Sequence, residues 1–527
     1  MTQKVSVDKM LAMLINTGHI FSSGKGFSQI FTELLDSVRD ITSADGGSLY
    51  IYDHASETLK VVVIGNKTLG ISKVVDTFDA LKIDGFIEVP TRIDGEPNLR
   101  TVSVCSYLQN RKILINSLDD DTEFNFNNTR QFDKNNNYET HNLLILPLVG
   151  HNNKVIGVLQ LINCDKDVFS DYMQTFVDAI AGQIGTMLSN ALLVNETQEL
   201  MSAIIQMIGV AIDEKSPHTA GHCQRVVEIT MMIVEELEKT KKHPIYKDFS
   251  LTTEQRRELR IAALLHDIGK IITPLHILDK RTKLHTVNDK ISLLYERMRA
   301  WELARQLQQT EQKLREEGLE HLISSTEKKY SEDYQFLGEV NAGNVFIDEE
   351  VTKRLETIAE RMIESPNTNN EKLITQQVID SEELNNLKIK RGTLNPEERK
   401  IMEDHVSISI RLLSSIPWPS NLKRVVEIAG AHHETLNGSG YPNKLTGDDM
   451  DLPARVLGLA DRFEGLSAPD RPYRNVKMTL SRVMSIMENM AEEQEIDDTL
   501  FDFFKENKLH LKYAKKHLPP ELIDVQQ

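Results

Sequence analysis

Cysteine is scarce in this chain: Cys105, Cys164 and Cys223 are the only three in 527 residues. They form no CxxC pair and no even framework, which excludes a disulfide scaffold and a thiolate zinc site. Any metal site must be built from histidine and carboxylates. Long apolar runs are missing too. No stretch approaches the ~18–20 residues of a membrane helix, and the first residues, MTQKVSVDKMLAMLINTGHIF, contain no signal-peptide core. A cytoplasmic location without a membrane partner is expected. Positive charge is in deficit: 61 Lys and Arg face 79 Asp and Glu, for a net charge of -18. That argues against a nucleic-acid polymer as partner. An anionic substrate would need bound cations and a few placed Lys or Arg to reverse the field locally.

What is present suits globular domains: 40% hydrophobic and 27% charged residues, in a length that fits two or three domains. Apolar residues at spacings of three and four predict a helix over 28–41, SQIFTELLDSVRDI, after another over 5–20. GGSLYIYD and LKVVVIG read as a hairpin, and NLLILPLVG and KVIGVLQLIN as two further strands joined at HNNK. A helix from about 172 to 195 closes this α+β unit and continues through ETQELMSAIIQMIGVAIDEKS. The run LILPLVGHNNKVIGVLQLIN, followed by VFS and a long helix, resembles a GAF domain. The resemblance implies a small-molecule sensor and dimerisation module over residues 1–195, hence an unidentified small ligand and a homodimer. Of the pattern carried by cyclic-nucleotide-binding members, Asn163 and Phe169 match, while Cys164, Met173 and Gln174 replace the rest. This speaks against a cyclic nucleotide as the GAF ligand.

The remainder, 196–527, reads as all-helical. Its charged segment 283–392 is bracketed by an echo, KRTKLHT at 280–286 and KRGTLNP at 390–396. The chain leaves a compact domain at one loop and returns at its likeness, so an inserted helical hairpin is expected.

Seven potential ligands punctuate the helices around this insertion. His222 lies in SPHTAGHCQRV, His266 and Asp267 end LRIAALLHD, and His405 sits in EERKIMEDHV. His432 and His433 open AHHETLNGSGYP, and Asp461 ends ARVLGLAD. Five histidines and two aspartates suit borderline or hard transition metals. Seven exceed what one tetrahedral ion takes, so two ions are expected, with Asp267 as bridge. Adjacent helical positions point about 100° apart, so His432 and His433 are expected on different sides of one cluster. Glu434 is expected to orient a histidine from behind.

HDIGK, HHETLNGSGYP and LADRFEGLSAPDRPYR, in this order, resemble the HD-GYP family of cyclic dinucleotide phosphodiesterases. The resemblance implies an HD-superfamily fold with the seven residues as ligands of two divalent ions, iron or manganese. It also implies Lys270 and Asp267 as catalytic groups, and Lys270, Arg471, Arg474 and Tyr441 at the nucleotide. The implied reaction opens cyclic di-GMP to linear pGpG, and further to GMP. Rival readings are a weakly catalytic dinucleotide receptor signalling through the inserted helices, a hydrolase for cyclic GMP-AMP, and a nucleotide phosphohydrolase of the wider HD superfamily. Two departures stand out. Asn437 replaces a common Asp, and His218 stands where three-metal members carry Glu. The second favours two ions over three.

Overall fold

The computed structural model describes residues 27–74, 87–164, 169–215, 221–240, 243–286, 288–316, 327–342, 345–366, 373–390, 392–469 and 478–525. The helix expected at 5–20, His218, Arg471 and Arg474 lie outside the described residues. The chain forms two compact units, Met1–Met201 and Ser202–Gln527.

In the first unit, α1 (Phe27–Thr42) is followed by β1 (Ala44–Asp53), β2 (Thr58–Asn66), β3 (Ile71–Val74) and β4 (Glu88–Pro90). A two-residue pair follows, β5 (Arg92–Ile93) with β6 (Glu96–Pro97), and then α2 (Val102–Gln109), β7 (Ile113–Ile115), α3 (Asn127–Asn136), β8 (Leu143–Val149) and β9 (Val155–Cys164). The main sheet runs β3-β2-β1-β9-β8-β7, with β4 beside β2, and its strand pairs are antiparallel. Successive strand residues point to opposite faces. Leu144, Leu146 and Leu148 therefore join Phe31, Leu34, Leu35 and Val38 of α1 in one core, while Leu143 and Ile145 join Val104 and Cys105 of α2 in another. Burial on both faces explains why LLILPLV reads as a continuous apolar run.

Helix α4 spans Asp171–Asp213, 43 residues, without a break at Gly209. Its early residues Val177, Ile180, Ile184 and Leu188 belong to the GAF core. An 18-residue window within Met173–Asp213 reaches a mean hydropathy of 1.3, so by length and composition α4 is apolar enough to cross a membrane. Short polar interruptions divide this run in the sequence. The two residues that match the nucleotide-binding GAF pattern serve the fold instead. The Asn163 side chain accepts from the His141 N–H at 2.7 Å and donates to Tyr138 Oη and the Glu139 carbonyl, and Phe169 is buried in the core.

The second unit is largely helical: α5 (His222–Lys239), α6 (Thr253–Leu265), a 3-10 turn (Ile268–Ile271) and α7 (Leu275–Leu278). The insertion follows with α8 (Ile291–Glu316), α9 (Glu327–Asn341), α10 (Glu349–Ala359), β10 (Met362–Pro366), β11 (Leu373–Gln377) and α11 (Ser381–Leu387). The unit then resumes with α12 (Pro396–Ser414), α13 (Val425–Gly430), α14 (Leu452–Ser467), α15 (Leu480–Glu492), α16 (Asp498–Glu506) and α17 (Leu509–His517). The insertion is more than the expected hairpin of helices. It holds an antiparallel strand pair and a core of its own, including Leu294, Met298, Leu337, Leu355, Ile358 and Ile379. The echoed loops do meet. Lys280, fully buried, places Nζ 2.7 Å from both oxygens of Glu398, and Thr393 donates to the Lys280 carbonyl.

Candidate metal centre

Each of the seven expected ligands is set by a helix or its edge. His222 opens α5, His266 caps the end of α6, His405 lies within α12 and Asp461 within α14. His432 and His433 lie in the turn just past α13, not within a helix. The structure brings all seven together. Ligand atoms of His222, His266 and Asp461 lie within 4.8 Å of one another, as do those of His405, His432 and His433, and those of His266, Asp267 and His432. His432 and His433 share one group with His405, while His432 alone also groups with His266 and Asp267. A turn has no fixed 100° offset between neighbours, and their rings sit 4.3 Å apart.

Asp267 stands between the groups. Its Oδ2 is 3.3 Å from His222 Nε2 and 3.2 Å from His266 Nε2. Its Oδ1 is 3.2 Å from His405 Nε2 and 3.8 Å from His432 Nε2. Asp461 Oδ1 lies 3.3 Å from His222 Nε2.

The tautomers follow from the backbone. His266, His405 and His432 each place Nδ1 on a carbonyl three residues earlier, that of Ala263, Met402 and Ala429. A carbonyl only accepts, so the ring proton sits on Nδ1 and Nε2 presents a lone pair. These lone pairs face carboxylate oxygens. Among the described residues, Nε2 of all three and Oδ1 of Asp267 are buried without a hydrogen-bond partner. Buried polar atoms are normally satisfied. Lone pairs converging on lone pairs fit cations between them, so the residues present suit divalent metal.

Among the side chains themselves, the titrating groups are pulled in opposite directions. Burial pulls the His266 pKa down, but Asp267 and Asp461 outweigh it and lift the imidazole to about 9. Burial and the neighbouring His266 push His432 down to about 3. Burial would raise the Asp267 carboxyl, yet Lys270 and His266 hold it well below the usual carboxylate range.

Supporting residues include several that sequence reasoning missed. Glu464, fully buried, meets His222 Nδ1 with one oxygen and accepts from Arg225 Nε at 2.6 Å with the other. Arg462 donates to the carbonyls of His432 and Glu434 at 2.8 and 2.7 Å, fixing the double-histidine turn. The spacing was a usable signal for Glu464, which lies three residues after Asp461 and so on the same helical face. Glu434, expected to orient a histidine, instead accepts from the N–H groups of Asn443 and Leu445. Asn437 works as a turn residue. It accepts from Ser439 N and Thr435 Oγ1, and its amide donates to the Glu493 carbonyl, which a carboxylate could not do.

Two glycines are required by contact. A Cβ on Gly440 would sit 2.5 Å from Glu434 Cα, and one on Gly269 would sit 1.9 Å from the His405 carbonyl oxygen. Tyr441, after Gly440, stacks on His433 with ring centres 4.9 Å apart. Lys270 places Nζ 2.5 Å from Asp267 Oδ2. Both line a 630 Å³ cavity that opens onto His222, His405, His433 and Asp461. Ala342 and Gly392, at the roots of the insertion, form part of its wall.

Family models agree with this division. A GAF domain matches residues 27–188, and HD domain models match 219–335 and 352–500. The two HD matches flank and enter the insertion, and each carries part of the one ligand set. A 3'3'-cGAMP-specific phosphodiesterase 1 of Vibrio cholerae is 39% identical over 118 residues, 22% of this chain and 26% of that protein. A cyclic di-GMP phosphodiesterase of Thermotoga maritima is 39% identical over 89 residues, 17% of this chain and 24% of that protein. The similarity therefore spans only about a quarter of either relative's length. Among solved structures, the GAF domain of an Acinetobacter phosphoenolpyruvate-protein phosphotransferase covers 36% of this chain and 97% of its own at 14% identity, with a TM-score of 0.27, too low to bear on function. Five histidines and two aspartates converge beside a Gly-Tyr-Pro loop, and the matched segments give this chain a GAF domain followed by HD domains, with relatives named as 3'3'-cGAMP and cyclic di-GMP phosphodiesterases.

Proposed function

We propose that the chain is a metal-dependent phosphodiesterase for cyclic dinucleotides, cyclic di-GMP first, which it opens to linear pGpG and, with a second cut, to GMP. The observation that supports this most is the place of Asp267, with one oxygen toward each histidine group. In this reading His222, His266 and Asp461 would hold one divalent ion and His405, His432 and His433 a second, with Asp267 a shared carboxylate between the two groups. Iron or manganese, as the family resemblance implies, would acidify a water toward neutrality and offset phosphoryl charge. The chain's own residues do the rest. Lys270, at the cavity wall, neutralises charge growing on the phosphoryl oxygens. The ring of Tyr441 supports His433 and walls the nucleotide. Arg471 and Arg474 are assigned to the nucleotide by motif position alone.

Residues 1–195 act as the sensory part, taking a small ligand, and 196–527 as the hydrolytic part, in a cytoplasmic homodimer. Cyclic GMP-AMP is a second substrate to test, because relatives named for it match as well as those named for cyclic di-GMP. The test incubates the purified full chain, loaded with Mn²⁺ or Fe²⁺, with a panel of cyclic dinucleotides and resolves the products by chromatography. Linear dinucleotide from cyclic di-GMP is the expected product. A metal-replete protein that binds the ring and releases nothing would make it a receptor.

A further inference from the structure

The end of helix α4 makes two polar contacts within the second unit. Asp213 Oδ1 accepts from the backbone N–H of Cys223, beside His222, at 3.1 Å. Two residues past the helix, the Lys215 ammonium donates to three carbonyls of one turn: Lys270 and Thr273, both at 2.6 Å, and Ile271. Three N–H donors meet three acceptors, which saturates the ammonium. The Lys270 carbonyl also accepts from the Thr273 N–H at 3.2 Å, and the end of the 3-10 turn Ile268–Ile271 is a position that favours a cation. Helix α12 holds the opposite side of the same turn. Gly269 N–H donates to Ser409 Oγ at 2.8 Å, and the Gly269 Cα packs on the His405 carbonyl. The backbone that carries Lys270 is therefore gripped from both sides, and only the Lys215 grip comes from the helix that begins in the GAF unit.

We propose that Lys215 is a positioning residue. By fixing the carbonyls of residues 270–273 it fixes the direction in which Lys270 reaches Asp267 and the cavity. A shift of the α4 end is thereby delivered to the Lys270 backbone. The consequence for rate rests on the hydrolase reading above; the consequence for the turn does not. Misplacing a catalytic group by about 1 Å costs on the order of 100-fold in rate. A fall of about 10- to 100-fold in kcat is therefore expected on losing the ammonium, with KM and metal content little changed.

The experiment compares the full, metal-loaded chain with Lys215→Met and Lys215→Arg. It reads amide hydrogen exchange over residues 268–273, metal content, and kcat and KM for the dinucleotide that the wild type cleaves. Faster exchange at this turn and a lower kcat in Lys215→Met, both recovered toward wild type in Lys215→Arg, support the proposal. A mere docking role for Lys215 would lower the melting temperature without separating kcat from KM. Unchanged exchange overturns the proposal, and so does faster exchange with unchanged kcat. If Lys215→Met does not fold, Lys215→Gln, which keeps two N–H donors without the charge, decides by the same readings. A wild type that cleaves no cyclic dinucleotide sinks the functional reading, while the exchange arm still judges Lys215.

Discussion

Asp267 concentrates the chemistry of the site in one side chain. Its Oδ2 faces His222, His266 and Lys270, and its Oδ1 faces His405 and His432. Asp267→Asn keeps the shape and removes the charge that would balance the proposed cations. It is expected to lose bound metal and hydrolysis together, as is His266→Ala with Asp267→Ala, while the GAF unit, with its separate core, keeps its melting transition. Glu464→Gln should act by degree. The His222 ring loses an anionic partner, and such outer partners typically affect metal affinity about 10–100-fold. Titration against a chromophoric chelator reads this. Wild-type affinity in Glu464→Gln would mean that the carboxylate serves Arg225 alone. That these seven side chains belong together was legible in the sequence because motif spacing carries it. The role of Glu434 was not, because adjacency to His433 says nothing of which way a side chain turns. Here it turns to the Asn443–Leu445 backbone, whose N–H groups need an acceptor.

At the scale of elements, the insertion is held at its roots by buried lysines. Lys283 donates to the Leu387 carbonyl at 3.0 Å, and burial pulls its pKa down to about 8. Lys280 pairs with Glu398, which also caps the start of α12 together with Asn395. The echo of KRTKLHT in KRGTLNP revealed where the roots lie, but not the strand pair between them. Five-residue strands within a charged stretch are too short for periodicity to announce, and their pairing is decided by contacts across the chain. Lys280→Met should leave the partly exposed Glu398 carboxylate with the Asn395 N–H but without its cation. Breaking a fully buried pair costs about 3–5 kcal/mol, so the urea midpoint of the second unit should fall by less than that cost implies. An unchanged midpoint would mean that water reaches Glu398 and replaces the ammonium. Since Lys280, Gly392 and Thr393 also line the cavity, this pair joins the packing of the insertion to the wall of the site.

The whole molecule depends on how helix α4 covers its apolar side chains. Its first half buries them in the GAF core, but farther along Leu193, Leu200, Ile204 and Met207 are exposed at 49%, 62%, 45% and 63%. With Thr197 and Ala211 they recur at alternating steps of four and three. That is the 3.5-residue period of a left-handed coiled coil, and a stripe of this period fits best against a helix of the same period. In the homodimer proposed above, a second copy would supply one, in register, about a two-fold axis that sets each residue opposite itself. The stripe from 193 to 211 is about 28 Å long at 1.5 Å per residue. The same helix carries a stretch of membrane-like composition, so one experiment separates the two readings. Leu200→Lys with Ile204→Lys places like charges in the seam and leaves the GAF core and all seven expected ligands untouched. Light scattering should fall from the mass of a dimer to that of a monomer, with helical content retained and no dependence on added lipid vesicles. A dimer mass that survives both lysines would move the interface off α4. Binding of the wild type to vesicles, lost in the variant, would assign the stripe to a membrane surface instead.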